Sequence, residues 1–245
     1  MVNFIIYGGY MPVIVFASSK GGAGKTTAAT VLAGELARRA KVADIRVTLI
    51  DADPNQHSAK WALKSCPSNL DLVENSNETS IVDDIEEAEN KSGYVIVDLE
   101  GTASATVANA IIRADYVVAL CQGSQDDADE AVKTIKLIRN QEKLLKREIP
   151  FSILFTRTNP AIQPRTLRFI VEQFESAGID LFANTLVDRE AFRAMRSFGG
   201  ILHDLDASQV SGLDKAIVNA EAYTDEVLRK IKGLQNTQER EVSNG

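Results

Sequence analysis

Cysteine is nearly missing from this chain of 245 residues: Cys66 and Cys121 stand far apart, and neither belongs to a C-x-x-C pair. That excludes a disulfide framework and gives no support to a zinc or iron–sulfur centre, so a reducing compartment, the cytoplasm, is expected. Long hydrophobic runs are missing as well, none approaching the ~20 residues of a membrane span. The opening stretch MVNFIIYGGY has no Lys or Arg to form the charged start of a secretory signal. Positive charge is in deficit, with a formal net charge of −7, so any contact with nucleic acid must come from a local patch and not from the global field. Internal repeats and low-complexity segments are absent.

What is present suffices for a sizeable core: 44% of the residues are hydrophobic and 25% charged, within the range of one domain. Short runs rich in Val and Ile recur at 13–17, 47–50, 94–97, 116–120 and 151–155, apolar on both faces, as buried strands of a parallel sheet are. Helical spacing fills the intervals at 25–40, 81–90, 126–147 and 164–176, and a closing helix is expected over 213–234. Alternating strand and helix predicts an α/β fold, a three-layer sandwich with a mostly parallel central sheet. The helix at 126–147 starts with Asp126, Asp127, Asp129 and Glu130 and ends with Lys143, Lys146 and Arg147, charges that complement its dipole. A single domain is expected over 11–235. Residues 1–10 read as an extension or an upstream start, or else as an added edge strand, and the polar NTQEREVSNG at 236–245 as a disordered tail.

The chemistry begins at FASSKGGAGKTTAATVL. A strand, a glycine-rich turn and a helix starting near Lys25 bring backbone N–H groups and a helix N-terminus together on phosphate. The pattern G-x-x-x-x-G-K-[ST] anchored on Gly24, Lys25 and Thr26 calls for glycine at 19, where Ser19 stands, followed by Lys20. In such a P-loop Gly21, Gly22, Ala23 and Gly24 line the phosphates, Lys25 reaches the β- and γ-phosphates, the Thr26 hydroxyl ligates Mg²⁺ and Thr27 donates to the α-phosphate. A dinucleotide fingerprint beginning at Gly22 would need glycine where Thr27 stands. Hydrolysis of a Mg-nucleotide also needs carboxylates at neighbouring strand ends, and LIDADPNQ and VIVDLEG supply them. Asp98 is the expected Walker B carboxylate behind Mg²⁺. Asp51 is the candidate for orienting the attacking water or contacting the metal, with Asp53 as its helper or as a helix-entry residue before Pro54. Glu100, in the turn EGTAS, is read as part of a γ-phosphate sensor in preference to a general base.

The stretches SKGGAGKTT, LIDADPNQHSAKW and VIVDLEGTAS, at this spacing, resemble the deviant Walker A ATPases of the ParA/MinD family, over nearly the whole chain from Met11. The resemblance implies a P-loop NTPase fold, ATP and Mg²⁺ as cofactors, and a homodimer in the ATP state. It also implies that Lys20 reaches across that dimer to the partner's phosphates, as an arginine finger does elsewhere. The cysteine ligands of the nitrogenase iron protein and of the iron–sulfur carriers have no counterpart here. The C-terminal sequence lacks the basic amphipathic membrane helix of MinD-type proteins, so no membrane is expected, although ILFTRTNPAIQPR looks like the corresponding MinD segment. Asp53 and Asp98 stand 45 positions apart, short for a partition ParA, and the chain resembles small ParA proteins, including the VirC-type ATPases that help prepare DNA for conjugative transfer. Adenine contacts are expected from Thr156, Arg157 and Asp188, although the family often has Asn in place of Thr156 and Pro in place of Val187.

Relatives of this kind bind duplex DNA non-specifically through basic residues of the C-terminal half. Here Arg189, Arg193 and Arg196 fall on one face of a helix over 189–198, and phosphate contacts from that face would be salt-sensitive. The implied activity is slow ATP hydrolysis, stimulated by a centromere-binding or adaptor-type partner, in partition or positioning of plasmid or chromosomal DNA. The alternative is an ATPase that recruits a conjugative transfer complex or positions a protein cargo, with DNA binding secondary.

Overall fold

The computed structural model describes residues 11–243 apart from 160 and 163. The expectation for residues 1–10 lies outside the described residues. The elements in chain order are β1 (Val13–Ala17), α1 (Lys25–Ala40), β2 (Val47–Ala52), α2 (His57–Ala62), β3 (Leu70–Val73), α3 (Ile81–Glu89), β4 (Tyr94–Leu99) and α4 (Ala105–Arg113). They continue with β5 (Tyr116–Cys121), α5 (Gln125–Leu145), β6 (Phe151–Thr158), α6 (Arg165–Ser176), β7 (Leu186–Val187), α7 (Glu190–Phe198) and α8 (Leu213–Ser243).

Seven parallel strands form the sheet in the order β3-β2-β4-β1-β5-β6-β7. β1 is central because the chain leaves it for one edge, returns through β4, and then continues on its other side with β5. Such a reversal opens a crevice at the carboxyl ends of the strands, where α/β proteins take their ligands. Register places Asp98 beside Phe16 on one side and Asp51 on the other, so both aspartates leave the sheet at the same level.

Alternation along the strands fills both faces. Ile14, Phe16, Leu49 and Ile96 pack with Leu32 and Leu36 of α1 and with Tyr223, Val227 and Ile231 of α8. Val13, Val15, Val95 and Val97 pack with Ile81, Ile85, Val107, Ile111 and Ile138 of α3, α4 and α5. This is the expected three-layer sandwich, with a wholly parallel sheet. The described part of α8 runs through Ser243, into the polar segment from 236, where Gln, Glu and Arg are good helix formers and no glycine or proline intervenes before 244.

Candidate nucleotide-binding site

After β1 the chain turns through Ser18–Gly24 with Gly22 and Gly24 at φ 79° and 96°, left-handed values that glycine adopts without strain. Gly24 is the N-cap of α1, whose first turn carries no acidic residue and whose cap makes no side-chain hydrogen bond. The positive end of a buried sixteen-residue helix is thus left for an anion. Gly101 closes the loop from the β4 side: a Cβ there would stand 2.7 Å from the Gly21 nitrogen. Three further contacts brace the turn. The Thr156 hydroxyl donates to the Ala23 carbonyl at 2.6 Å, Gln122 Nε2 donates to the Gly22 carbonyl at 2.9 Å, and the Ser19 hydroxyl donates to the Glu130 carbonyl at 2.6 Å.

A cleft of about 440 Å³ opens over this turn, lined by Gly21, Gly22, Gly24, Lys25, Thr26, Thr27, Asp53, Glu100, Gly101, Arg157 and Arg196 among others. Ala23 turns its methyl inward to the core instead. Lys25 is 5% exposed, and its ammonium has one weak contact, to the Lys20 carbonyl at 3.4 Å. Burial pushes its pKa down, against the opposing charges of Asp98, Asp53 and Glu100. Lys20 points elsewhere: its Nζ donates to Asp127 Oδ1 at 2.7 Å, and its side chain is 47% exposed.

Asp98 is fully buried, accepts from the Ser58 hydroxyl at Oδ2, and leaves Oδ1 without a partner. Burial pushes its carboxyl up to about 7; the Ser58 bond works against that shift, the nearby Asp51 charge adds to it, and the neighbouring Thr26 hydroxyl opposes it. An orphaned carboxylate oxygen beside a threonine hydroxyl and a buried lysine is a donor set suited to Mg²⁺ shared with phosphate oxygens. Thr26 and Asp98 are the residues that would hold the ion, and Lys25 with the loop glycines would hold the phosphates.

The two other aspartates part company. Asp51, fully buried, takes backbone N–H groups on both oxygens, from Asp53 at 3.0 Å and Ala59 at 2.8 Å. It stands beneath the cleft and braces the loop into α2, where the sequence reading expected it to face water or metal. Asp53 lines the cleft in its place, with its Oδ1 accepting from the Asn55 backbone and side chain.

Beside the cleft lies a second cavity of about 620 Å³, sharing Gly24, Thr27, Arg157 and Arg196 with it. Thr156, Arg157 and Asp188 all line it, as do Arg189, Arg193 and Arg196. The three arginines share a face, as their spacing predicts, and that face borders the cavity. Arg193 is the exposed one of the three, and it is paired with Asp188 and Glu190. Arg196 is half-buried, and its Nη1 approaches the Thr27 hydroxyl at 3.4 Å. Sequence reasoning missed Asp127, Glu130 and Ser58 as site residues: each is more than 30 positions from the group it binds, and nothing local signals such a pairing.

Comparison with known proteins agrees with this geometry. The model of the family described as VirC1 protein matches residues 11–239. Protein ParA of Rhizobium radiobacter is 37% identical over 222 residues, covering 90% of this chain and 98% of the relative. Among solved structures, apo McdA from Cyanothece superposes with a TM-score of 0.71 at 17% identity, covering 89% of this chain and 100% of the other. A putative plasmid partition protein from Borrelia burgdorferi B31 bound to AMPPNP superposes with a TM-score of 0.67 at 20% identity, covering 90% and 100%.

Proposed function

That this chain belongs to the VirC1 family, within the ParA-type partition and positioning ATPases, is the premise from which we propose a cytoplasmic, Mg-dependent ATP hydrolase that dimerises around ATP. In the ATP state it binds duplex DNA without sequence preference, and a partner protein stimulates its slow hydrolysis, releasing the DNA. The observation that carries the reading is the opposite placement of two lysines on one loop. Lys25 is buried and lines the cleft, while Lys20 is half-exposed, does not line it and is paired with Asp127. A lysine so placed completes a phosphate site in another subunit more readily than its own. AMPPNP in the Borrelia burgdorferi partition protein supports an adenine nucleotide as the ligand.

Within the cleft, Lys25 and the N–H groups at the start of α1 bind phosphate charge, and Asp98 with Thr26 holds the metal side. Bound Mg²⁺ would neutralise charge on the phosphate oxygens. Asp53 lines the cleft on a loop fixed by Asp51, which supports a role in orienting the water; Glu100 lines the same cleft beside Gly101, which packs against the loop, and this supports a γ-phosphate sensor there. For DNA, the exposed Arg165 and Arg168 of the C-terminal half are the surface offered for phosphate contacts, with Arg193 joining them on release from Asp188 and Glu190.

The test is light scattering with AMPPNP and Mg²⁺ beside ADP, together with retention of random duplex DNA as salt rises, in wild type and Lys20→Ala. Doubling of mass with AMPPNP alone, and salt-sensitive DNA binding only in that state, are expected of wild type. Normal hydrolysis and full partner stimulation in Lys20→Ala would show the cross-dimer role to be wrong. The VirC1 match over 11–239 favours a second reading, an ATPase that recruits a conjugative transfer complex. A neighbouring gene for a centromere-binding protein supports the first reading, and transfer genes the second.

A further inference from the structure

Arg196 occupies a position that a DNA-binding role does not explain. It lines both cavities and stands at their junction, next to Thr27 and Arg157. Its Nη1 has a weak 3.4 Å contact with a neutral hydroxyl, its Nε is buried without a partner, and among the described residues no carboxylate forms an ion pair with it. Burial disfavours its charge, the field of Asp98 partly compensates, and Arg157 adds repulsion. One turn earlier, Arg193 shows what an ordinary surface arginine on this helix does: it pairs with Asp188 and Glu190.

The helix does not hold Arg196 there by accident of a loose end. Phe192 and Met195 are buried, Lys64 Nζ donates to the carbonyls of Arg196 at 3.1 Å and Ser197 at 2.8 Å, and the Gly200 N–H donates to Ser65 at 2.7 Å. The end of α7 is thus tied to the segment after α2, and the guanidinium is aimed at the first turn of α1. A desolvated cation without a counter-ion is unfavourable in the free protein, and an anion arriving between the two cavities would relieve it.

We propose that Arg196 is a nucleotide-binding residue, which with Thr27 receives the α-phosphate of a nucleotide that runs from the P-loop cleft into the second cavity. This rests on the nucleotide-binding reading above and adds to it the residue that recognises the phosphate nearest the ribose. The guanidinium fork suits phosphate oxygens, and its pre-set position leaves little ordering to be done on binding. Because the α-phosphate is common to ATP and ADP, Arg196 contributes equally to both, whereas Lys25 acts on the β- and γ-phosphates.

The experiment compares wild type, Arg196→Gln and Arg196→Lys by calorimetric titration with ADP and with AMPPNP in Mg²⁺, and by thermal melting without nucleotide. Arg196→Gln is expected to weaken both ligands by a similar factor, roughly tenfold or more, with Arg196→Lys in between. Its nucleotide-free melting temperature is expected to be equal to wild type or higher, since the half-buried charge without a counter-ion is gone. Unchanged affinity for both ligands would overturn the proposal. So would loss of affinity accompanied by a lowered nucleotide-free melting temperature, which marks a structural role, or loss of DNA binding with nucleotide affinity intact. If wild type itself binds neither ligand, the nucleotide reading fails first and is distinguished in that way.

Discussion

Lys20 and Lys25 lie five positions apart on one loop and have opposite surroundings. Lys25 is held over the cleft with burial lowering its pKa, so an arriving phosphate meets a cation with few competing partners. Lys20 is raised in pKa by its hydrogen bond to Asp127 and by that carboxylate's charge, and it is unavailable to a second subunit while the pair is closed. Asp127 is set for this at the start of α5: burial alone would raise its carboxyl, but the bonds from Lys20 and Ser124 hold it below the usual range. Ser19 tightens the arrangement, since its N–H donates to Thr134 at 3.0 Å and its hydroxyl to Glu130. A glycine at 19 could not make the hydroxyl bond, which gives the departure from the usual P-loop pattern a physical use. Asp127→Asn is therefore expected to free Lys20 and shift AMPPNP-driven dimerisation to protein concentrations about threefold to tenfold lower, a modest change because the Lys20 end of the pair is open to solvent. Analytical ultracentrifugation measures it, and in a Lys20→Ala background the same substitution should have no effect. A shift of equal size in both backgrounds would place the cause outside the pair.

At the scale of elements, α1 links the site to the core. Its N-terminus faces the cleft, and its last turns hold Glu35, 4% exposed, between Arg38 and Arg39, which also reach Glu221 and Asp225 on α8. Burial would raise the Glu35 carboxyl, but the hydrogen bonds and charges of the two arginines outweigh it and hold it below the ordinary range. A depressed carboxyl contributes stability above its unfolded pKa and loses it as pH falls through the folded value. Glu35→Gln removes the carboxylate that the two arginines share but leaves them Glu221 and Asp225, and is expected to cost about 1–2 kcal/mol at neutral pH, lowering the melting temperature by roughly 2–8 °C. The gap between variant and wild type should narrow as pH drops below about 4, and a gap that stays constant with pH would exclude the ion cluster as its source. This element was legible in the sequence because Ala28, Val31, Leu32 and Leu36 repeat at helical spacing. β1, β2, β4, β5 and β6 were legible because both their faces are apolar. β3 was not, since it is a half-buried edge strand of four residues, and β7 has only two. The loop glycines and the strand-end Asp98 announced themselves locally. The direction of the Arg196 face did not, because periodicity tells which residues share a face and not what that face meets. Asp51 and Asp53 were indistinguishable for a similar reason: only the fold decides which of two alternating carboxylates the next helix takes.

For the whole molecule, the parallel topology brings the loops after β1, β2, β4, β6 and β7 to one edge of the sheet, and the charge distribution follows it. A chain with net charge −7 concentrates Lys25, Arg157 and Arg196 on a single cleft, with Asp53 and Glu100 facing them. A nucleotide that binds this cleft in the folded chain alone stabilises the fold, so binding should be visible as stability. A ligand at a hundred times its dissociation constant adds about 2.7 kcal/mol, roughly 5–10 °C for a chain of this length. The two lysines divide that gain into parts that can be measured separately. The proposed roles of Lys25, Thr26 and Arg196 lie within one subunit, so the shift produced by Mg-ADP is expected to be independent of protein concentration. On the proposed cross-dimer role Lys20 acts only in a pair of subunits, so the shift produced by Mg-AMPPNP is expected to grow as protein is raised a hundredfold, and that growth to vanish in Lys20→Ala. Differential scanning calorimetry at several protein concentrations makes the separation. An AMPPNP shift that ignores protein concentration would mean that the site is complete within one chain, and that Lys20 rests on Asp127 for structural reasons alone.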